Sequence, residues 1–232
     1  MGLLRSVEPE LLDQMATDDP RVVRARRDLK RLNAVILQTG IMVRLLAQYW
    51  GDGRPRTILD LGAGDGTFML SVARRLAARW PGVTATLLDR QNIVSQKTRE
   101  AFGALGWKVE TVAADVFVYL EQIKNSGVDI ITTNLFLHHF EPEALARLLA
   151  LAAPSSRLLV ACEPRRNKFA LRASRLLWVI GCNEVSLHDA IVSVRAGFSG
   201  EELSALWPSR DRFDLNERAA RLFTHCFVAR RR

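Results

Sequence analysis

The sequence predicts an α/β fold: a doubly wound, mostly parallel seven-stranded sheet with an antiparallel C-terminal hairpin, an N-terminal helical appendage and a helical insertion after strand five. Three observations carry this. Short apolar runs alternate with helical patterns from Thr57 onward, as a parallel sheet with crossover helices requires. The first run, Thr57–Leu61, enters a glycine-rich turn that opens a helix. The rhythm breaks after Cys162, and two strand-like runs then close the chain.

Taken in order, residues 8 to 50 show apolar residues at helical spacing, with Val22, Val23, Leu29, Leu32, Ile36 and Leu37 on one face and arginines between them. Gly51-Asp52-Gly53-Arg54-Pro55 ends this stretch, so residues 1–52 form the expected appendage and 53–232 the main domain. Within that domain the pattern predicts a helix over 67–79, a strand over 84–89, a helix over 93–105 and a strand over 108–112. A short helix over 116–124, a strand over 128–133, a helix over 142–153 and a strand over 157–162 follow. Residues 164–208 form the insertion, with a basic helical stretch over 168–180, a polar interval, and a helix over 200–206. The segments 212–216 and 222–230 form the hairpin.

Composition is that of an ordinary globular protein, with 48% hydrophobic and 25% charged residues over 232 positions. The formal charge of +8 is mostly arginine, concentrated at 21–31, 165–175 and 230–232. It would suit anionic partners, but a solvated basic surface explains it equally simply. The three cysteines, Cys162, Cys182 and Cys226, imply no disulfide framework and lack metal-ligand spacing, so a reduced, cytoplasmic chain without a metal is expected. No apolar run reaches the roughly 20 residues of a membrane span, and the first residues lack a signal-peptide core; peripheral membrane contact stays open. Met1 to Ser6 fits the loose myristoylation pattern no better than chance does.

The chemistry concentrates at strand ends. In Asp60-Leu61-Gly62-Ala63-Gly64-Asp65-Gly66-Thr67 the glycines permit tight turning and close approach of a ligand to backbone, ahead of a helix N-terminus. Thr67 stands where a dinucleotide loop needs its third glycine, which argues against NAD. The carboxylate of Asp60 would repel a pyrophosphate and suit a ligand bearing a cation or an amine.

This stretch resembles the first motif of class I, Rossmann-like S-adenosylmethionine-dependent methyltransferases, and the resemblance extends over residues 55 to 232. It implies S-adenosylmethionine as cofactor, held by Asp60, Gly62, Ala63, Gly64 and Gly66. It further implies that Asp89 and Arg90 at the end of strand two meet the ribose, that Asp115 and Val116 meet the adenine, and that Asn134 and Leu135 lie against the cofactor after strand four. For Asp89 and Asp115 the simpler role is that of a helix cap.

The segment Asn134-Leu135-Phe136-Leu137-His138-His139-Phe140 resembles that of small-molecule methyltransferases and departs from the Asn/Asp-Pro-Pro-aromatic signature of adenine-amino methylation, so a nucleic-acid partner is disfavoured. The implied reaction is O-methylation of a phenolic or lipid-like metabolite, with a small-molecule acceptor and an undetermined oligomeric state. An RNA or protein methyltransferase, or a non-catalytic cofactor-binding protein, are the alternatives. His138, His139 and His188 are the candidate general bases, with His139 preferred; the adjacency of His188 and Asp189 on a helix argues against their pairing. Asp189 and Arg195 are acceptor-side candidates, and His225, in the last strand, reads as structural.

Overall fold

The computed structural model describes residues 3–11, 15, 19–21, 24, 25, 28, 37–124, 126–175 and 181–232. Helix α1 (Gln38–Trp50) leads into β1 (Thr57–Leu61), α2 (Thr67–Leu76), β2 (Thr84–Asp89), α3 (Gln96–Ala104), β3 (Lys108–Ala113), α4 (Val116–Gln122), β4 (Val128–Asn134), α5 (Pro142–Ser155) and β5 (Ser156–Pro164). Then follow α6 (Lys168–Ser174), α7 (Glu184–Ala196), α8 (Glu202–Leu206), β6 (Phe213–Ala220) and β7 (Thr224–Arg231).

The seven strands form one sheet in the order β3-β2-β1-β4-β5-β7-β6. β1 to β5 pair in parallel, and β7 runs antiparallel to both its neighbours. The expected fold class is what is found. The order reverses between β1 and β4, so the crossovers leave β1 toward one face and β4 toward the other. A crevice opens at the carboxyl ends of these two strands, where such sheets bind ligands.

Each face of the sheet has its own core, because a parallel strand buried on both sides sends alternate residues to opposite layers. On one face Ile58, Ala85, Ile130, Leu158, Val160 and Val228 pack against α1, α2 and α3; on the other Leu59, Ile131, Leu159, Ala161 and Phe227 pack against α4 and α5. Trp107 is buried in the first layer and donates its indole N–H to the Trp80 carbonyl at 2.8 Å.

Three expectations are corrected. Residues 8–10 are irregular rather than helical, whereas the described residues Leu11, Pro20, Arg21, Arg24, Ala25 and Asp28 are helical; of the predicted apolar face Val22, Val23, Leu29, Leu32 and Ile36 lie outside the described residues. Leu37 does not continue that face: it is the left-handed residue (φ 59°) ahead of α1 and is 47% exposed. α1 itself buries Ile41, Met42, Leu45 and Leu46 in the first core layer, so an appendage ending at residue 52 would take a core helix with it.

The interval between the two expected insertion helices holds α7, capped by Asn183, whose side chain accepts from Ser186 N. Its buried face is Val185, Asp189, Val192 and Ala196, a spacing of four, three and four that a buried aspartate interrupts in hydropathy. The helix expected over 168–180 is described as Lys168–Ser174, its last expected turn lying outside the described residues.

If α1 is a core element, Leu46→Ala should cost about 2–5 kcal/mol, the range for emptying a well-packed leucine site. Urea unfolding measures this; a loss under about 1 kcal/mol would mark α1 as a detachable appendage.

Candidate active site at the carboxyl ends of the strands

The glycine turn is built by backbone conformations that side chains disfavour. Gly62, Gly64 and Gly66 all have positive φ (69°, 56° and 73°). A Cβ on Gly62 would lie 2.2 Å from the Phe136 ring, so this glycine lets the loop after β4 press against the loop after β1. At Gly64 a Cβ would meet nothing within 4 Å, which leaves its backbone open to a ligand.

The turn is fixed from below: Gly62 N and Ala63 N donate to the Leu88 carbonyl, and Asp89 Oδ2 accepts from Gly64 N at 2.9 Å. Asp89 Oδ1 accepts from Gln91 N at 2.9 Å, so this half-buried carboxylate shapes two loops without capping a helix. Arg90 beside it is exposed.

Asp60 lies beneath the turn at 3% exposure, and its Oδ1 accepts from Thr132 Oγ1 at 2.7 Å. Burial pushes its pKa up, the Thr132 hydrogen bond opposes this and the Asp89 charge adds to it, with a result of about 7. The acid is therefore poised to ionise when a cation arrives.

Asp115 caps α4: its Oδ1 accepts from Phe117 N at 2.9 Å and Val118 N at 3.3 Å, the helix-cap role weighed from the sequence. Val116, the first residue of α4, is buried. Asn134 ends β4, with its side-chain Oδ1 buried and without a hydrogen-bond partner. Leu135 follows at φ 54° and donates its N–H to the Cys162 carbonyl.

The loop after β4 is organised by Glu163, which sequence reading missed. This carboxylate is fully buried and accepts from Phe136 N (3.1 Å), Leu137 N (3.0 Å), Thr133 Oγ1 (3.3 Å) and His138 Nδ1 (2.8 Å). The detectable signal is an acid inside an otherwise apolar fifth strand, Leu158-Leu159-Val160-Ala161-Cys162-Glu163. His138 lies in a short 3₁₀ turn, Leu137–His139, with Nδ1 on Glu163 and Nε2 3.4 Å from Glu10 Oε1. Burial would push its pKa down, but the hydrogen bonds to Glu10 and Glu163 carry it up to about 9.

Glu10 comes from the N-terminal arm, a second residue the sequence did not single out. Its carboxylate also takes the Ser193 hydroxyl of α7 as partner. Its separation from His138 is 128 residues, and no local pattern reveals such a pair. Arg5, on the same arm, donates to the carbonyls of Ala196 (2.8 Å), His138 (3.2 Å) and Phe140 (2.9 Å), while Leu11 N donates to Asp189 Oδ1 at 2.8 Å.

The candidate histidines separate clearly. His139 is half-buried with its ring 4.2 Å from that of His138. His188 is exposed on α7, and its Nδ1 lies 3.2 Å from Asp189 Oδ1, so the pairing judged unfavourable from helix geometry does form between neighbours. His225 is buried against Glu217 at 2.8 Å, the structural role expected. Arg195 lies 3.7 Å from Glu8 at the surface.

Comparison with known proteins agrees with this fold. Residues 58–155 match the family model described as a methyltransferase domain. An uncharacterized methyltransferase of Mycobacterium tuberculosis is 36% identical over 105 residues, 44% of this chain and 48% of that one; the chain thus spans about half the length of the curated relatives it matches. Among solved structures, a mitomycin 7-O-methyltransferase aligns at TM-score 0.61 and 21% identity, over 94% of this chain and 60% of that one. The magnesium protoporphyrin IX methyltransferase of Synechocystis, with bound SAH (S-adenosylhomocysteine), aligns at 0.59 and 14% over 93% and 96%.

The fold and the strand-end loops thus define a Rossmann-like sheet of the methyltransferase type. Residues 58–155 accordingly resemble a methyltransferase domain, seated on the sheet order that such folds share.

The Asp60 carboxyl makes a test of the buried site. Below about pH 4 it is protonated in folded and unfolded chains alike; between about 4 and 7 the folded chain keeps a proton that the unfolded chain has lost, so stability falls with rising pH and levels off above 7. Asp60→Asn should therefore gain stability relative to the parent across that window, by roughly 1–4 kcal/mol at pH 8. Urea unfolding at a series of pH values measures it, and a constant difference between the two proteins would show that Asp60 ionises normally.

Proposed function

We propose that this protein transfers a methyl group from S-adenosylmethionine to a hydroxyl of a small phenolic or lipid-like acceptor bound at the crevice above β1 and β4. The observation that carries the reading is the set of polar groups converging there: the open backbone at Gly64, the buried acid Asp60, the carboxylate of Asp89 and the unpartnered Oδ1 of Asn134. These fit an adenosyl-amino-acid ligand. Asp89 keeps further lone pairs on both oxygens to accept two ribose hydroxyls, and Asn134 Oδ1 lacks only a donor such as an ammonium N–H.

The cofactor supplies an activated methyl on a sulfonium; the protein's task is to align it with the acceptor and exclude water. The arm is proposed to serve that exclusion, since Arg5 and Glu10 tie it across the loop that ends β4 and onto α7. His138 has both ring nitrogens engaged by carboxylates and is a poor proton acceptor as it stands. His139, half-buried in the same turn, is proposed as the group nearest the acceptor hydroxyl. The O-methyltransferase neighbours support an oxygen acceptor, and a cytoplasmic site of action fits the reduced thiols.

Two measurements test this. S-adenosylhomocysteine affinity, by isothermal titration, should strengthen as pH rises toward 7 and level off above it, because an ammonium favours ionised Asp60. That pH dependence should vanish in Asp60→Asn, and Asp89→Ala should weaken binding by about 1–3 kcal/mol. Absence of binding by the parent sinks the reading. Mass spectrometry of products from a panel of phenols, quinols, hydroxylated lipids, RNA and protein then identifies the acceptor class; methylated RNA or protein with unmodified small molecules would overturn the small-molecule assignment.

A further inference from the structure

We propose that Glu10, His138 and His139 form a binding site for a first-row divalent metal ion of the zinc type, joining the N-terminal arm to the turn after β4. One ligand atom from each of the three lies within 4.8 Å of the others, although no spacing in the sequence gathers them and no metal was expected. Two imidazoles and one carboxylate are a donor set that suits zinc, iron(II) or manganese(II).

The hydrogen bond between His138 and Glu10 is long enough for an ion to take its place. Ionic N–H···O contacts close to about 2.7–2.9 Å, as Glu163 does with His138 Nδ1 at 2.8 Å. His138 Nε2 and Glu10 Oε1 instead stand 3.4 Å apart. Two ligands bound to one tetrahedral zinc at about 2.0–2.2 Å are about 3.3–3.5 Å apart, so this pair already has the spacing of ligand neighbours.

The surroundings have the form of a metal's outer shell. A metal-bound histidine commonly gives its second ring N–H to a carboxylate, which fixes the ring and leaves the other nitrogen for the ion. Glu163 holds Nδ1 of His138 in this way, itself anchored by the backbone N–H groups of Phe136 and Leu137. His138 is 2% exposed, so water competes poorly for its Nε2. On binding, that nitrogen releases its proton to solvent, Nδ1–H stays on Glu163, and the Ser193 hydroxyl, which now shares Glu10 Oε1 with His138, turns away or moves to the second oxygen.

Ion binding here needs neither cofactor nor acceptor, although the site shares His139 with the proposed acceptor side. With an ion bound, His139 would serve as a ligand instead of as a base.

The test uses the full chain, stripped with EDTA and titrated with Zn²⁺ in competition with a chromophoric chelator, and in parallel with Co²⁺ read by its visible absorption. His138→Ala would leave Glu163 buried without its partner, so the informative variants are Glu10→Gln and His139→Ala, whose side chains are partly exposed; thermal melts without metal verify that they fold. One equivalent of Zn²⁺ is expected, with affinity at least about tenfold weaker in either variant and unchanged in His188→Ala, an exposed histidine beside a buried aspartate. Zn²⁺ should raise the melting temperature of the parent and not of Glu10→Gln. Absence of stoichiometric binding, or parent affinity in both variants, or loss in His188→Ala, overturns the site.

Discussion

The arrangement above the sheet depends on one buried carboxylate. Glu163 ends β5 with no solvent to stabilise it, so it must be satisfied by the protein or not ionise at all. Its partners come from the end of β4 and the segment after it: three consecutive backbone N–H groups, the Thr133 hydroxyl and the His138 imidazole. A residue on one strand thereby dictates the path of the chain leaving its neighbour. The register makes this possible, because Asn134 pairs with Cys162 and brings the two strand ends level. Removing one partner of such a buried pair costs about 3–5 kcal/mol, since the other is left charged and unpaired.

That loop in turn limits the glycine turn. Phe136, whose backbone N–H is held by Glu163, lays its ring where a Cβ of residue 62 would be. Gly62 is therefore required twice, by its positive φ and by the ring above it. The Gly64 N–H then reaches Asp89 on the next strand, so β1, β2, β4 and β5 contribute to a single connected set of loops. The crevice is shaped by contacts between strand ends, and the helices beneath mainly supply the apolar burial that holds the strands in register.

The parts of this that sequence reveals are those encoded locally. Alternation of apolar runs and helical patterns located all seven strands within a few residues, because burial on both faces of a parallel sheet leaves an unmistakable run. The acid-glycine turn is equally local. Glu163 was legible in principle, as an acid within an apolar strand, but its meaning depends on the neighbouring strand's register. α7 was missed because the buried positions of its inner face include Asp189, which accepts from the arm's Leu11 N–H and so reads as polar in sequence while being buried in the fold. Arg5 and Glu10 were illegible for a stronger reason. Their partners are 128 to 191 residues away, and a short irregular segment carries no periodicity of its own.

The arm's attachment also explains why it is irregular. A helix would satisfy residues 3–10 internally and turn their side chains outward at fixed angles, whereas this segment contains Pro9 and gives its groups to the body of the protein. Ser6 N donates to Arg195 O, Arg166 Nε donates to Leu3 O, and Leu11 N finds Asp189. Arg5 is bound through three backbone carbonyls and lies 4.8 Å over the Phe198 ring, partners without net charge. Its hold depends on geometry and resists salt, unlike a surface ion pair. Glu10 adds the ionic component, directed at the one histidine that Glu163 has already oriented. The arm thus reads the position of the loop after β4 through Arg5 at that loop's carbonyls and Glu10 at its imidazole. Any rearrangement of that loop when a ligand binds must move these two anchors together or break them.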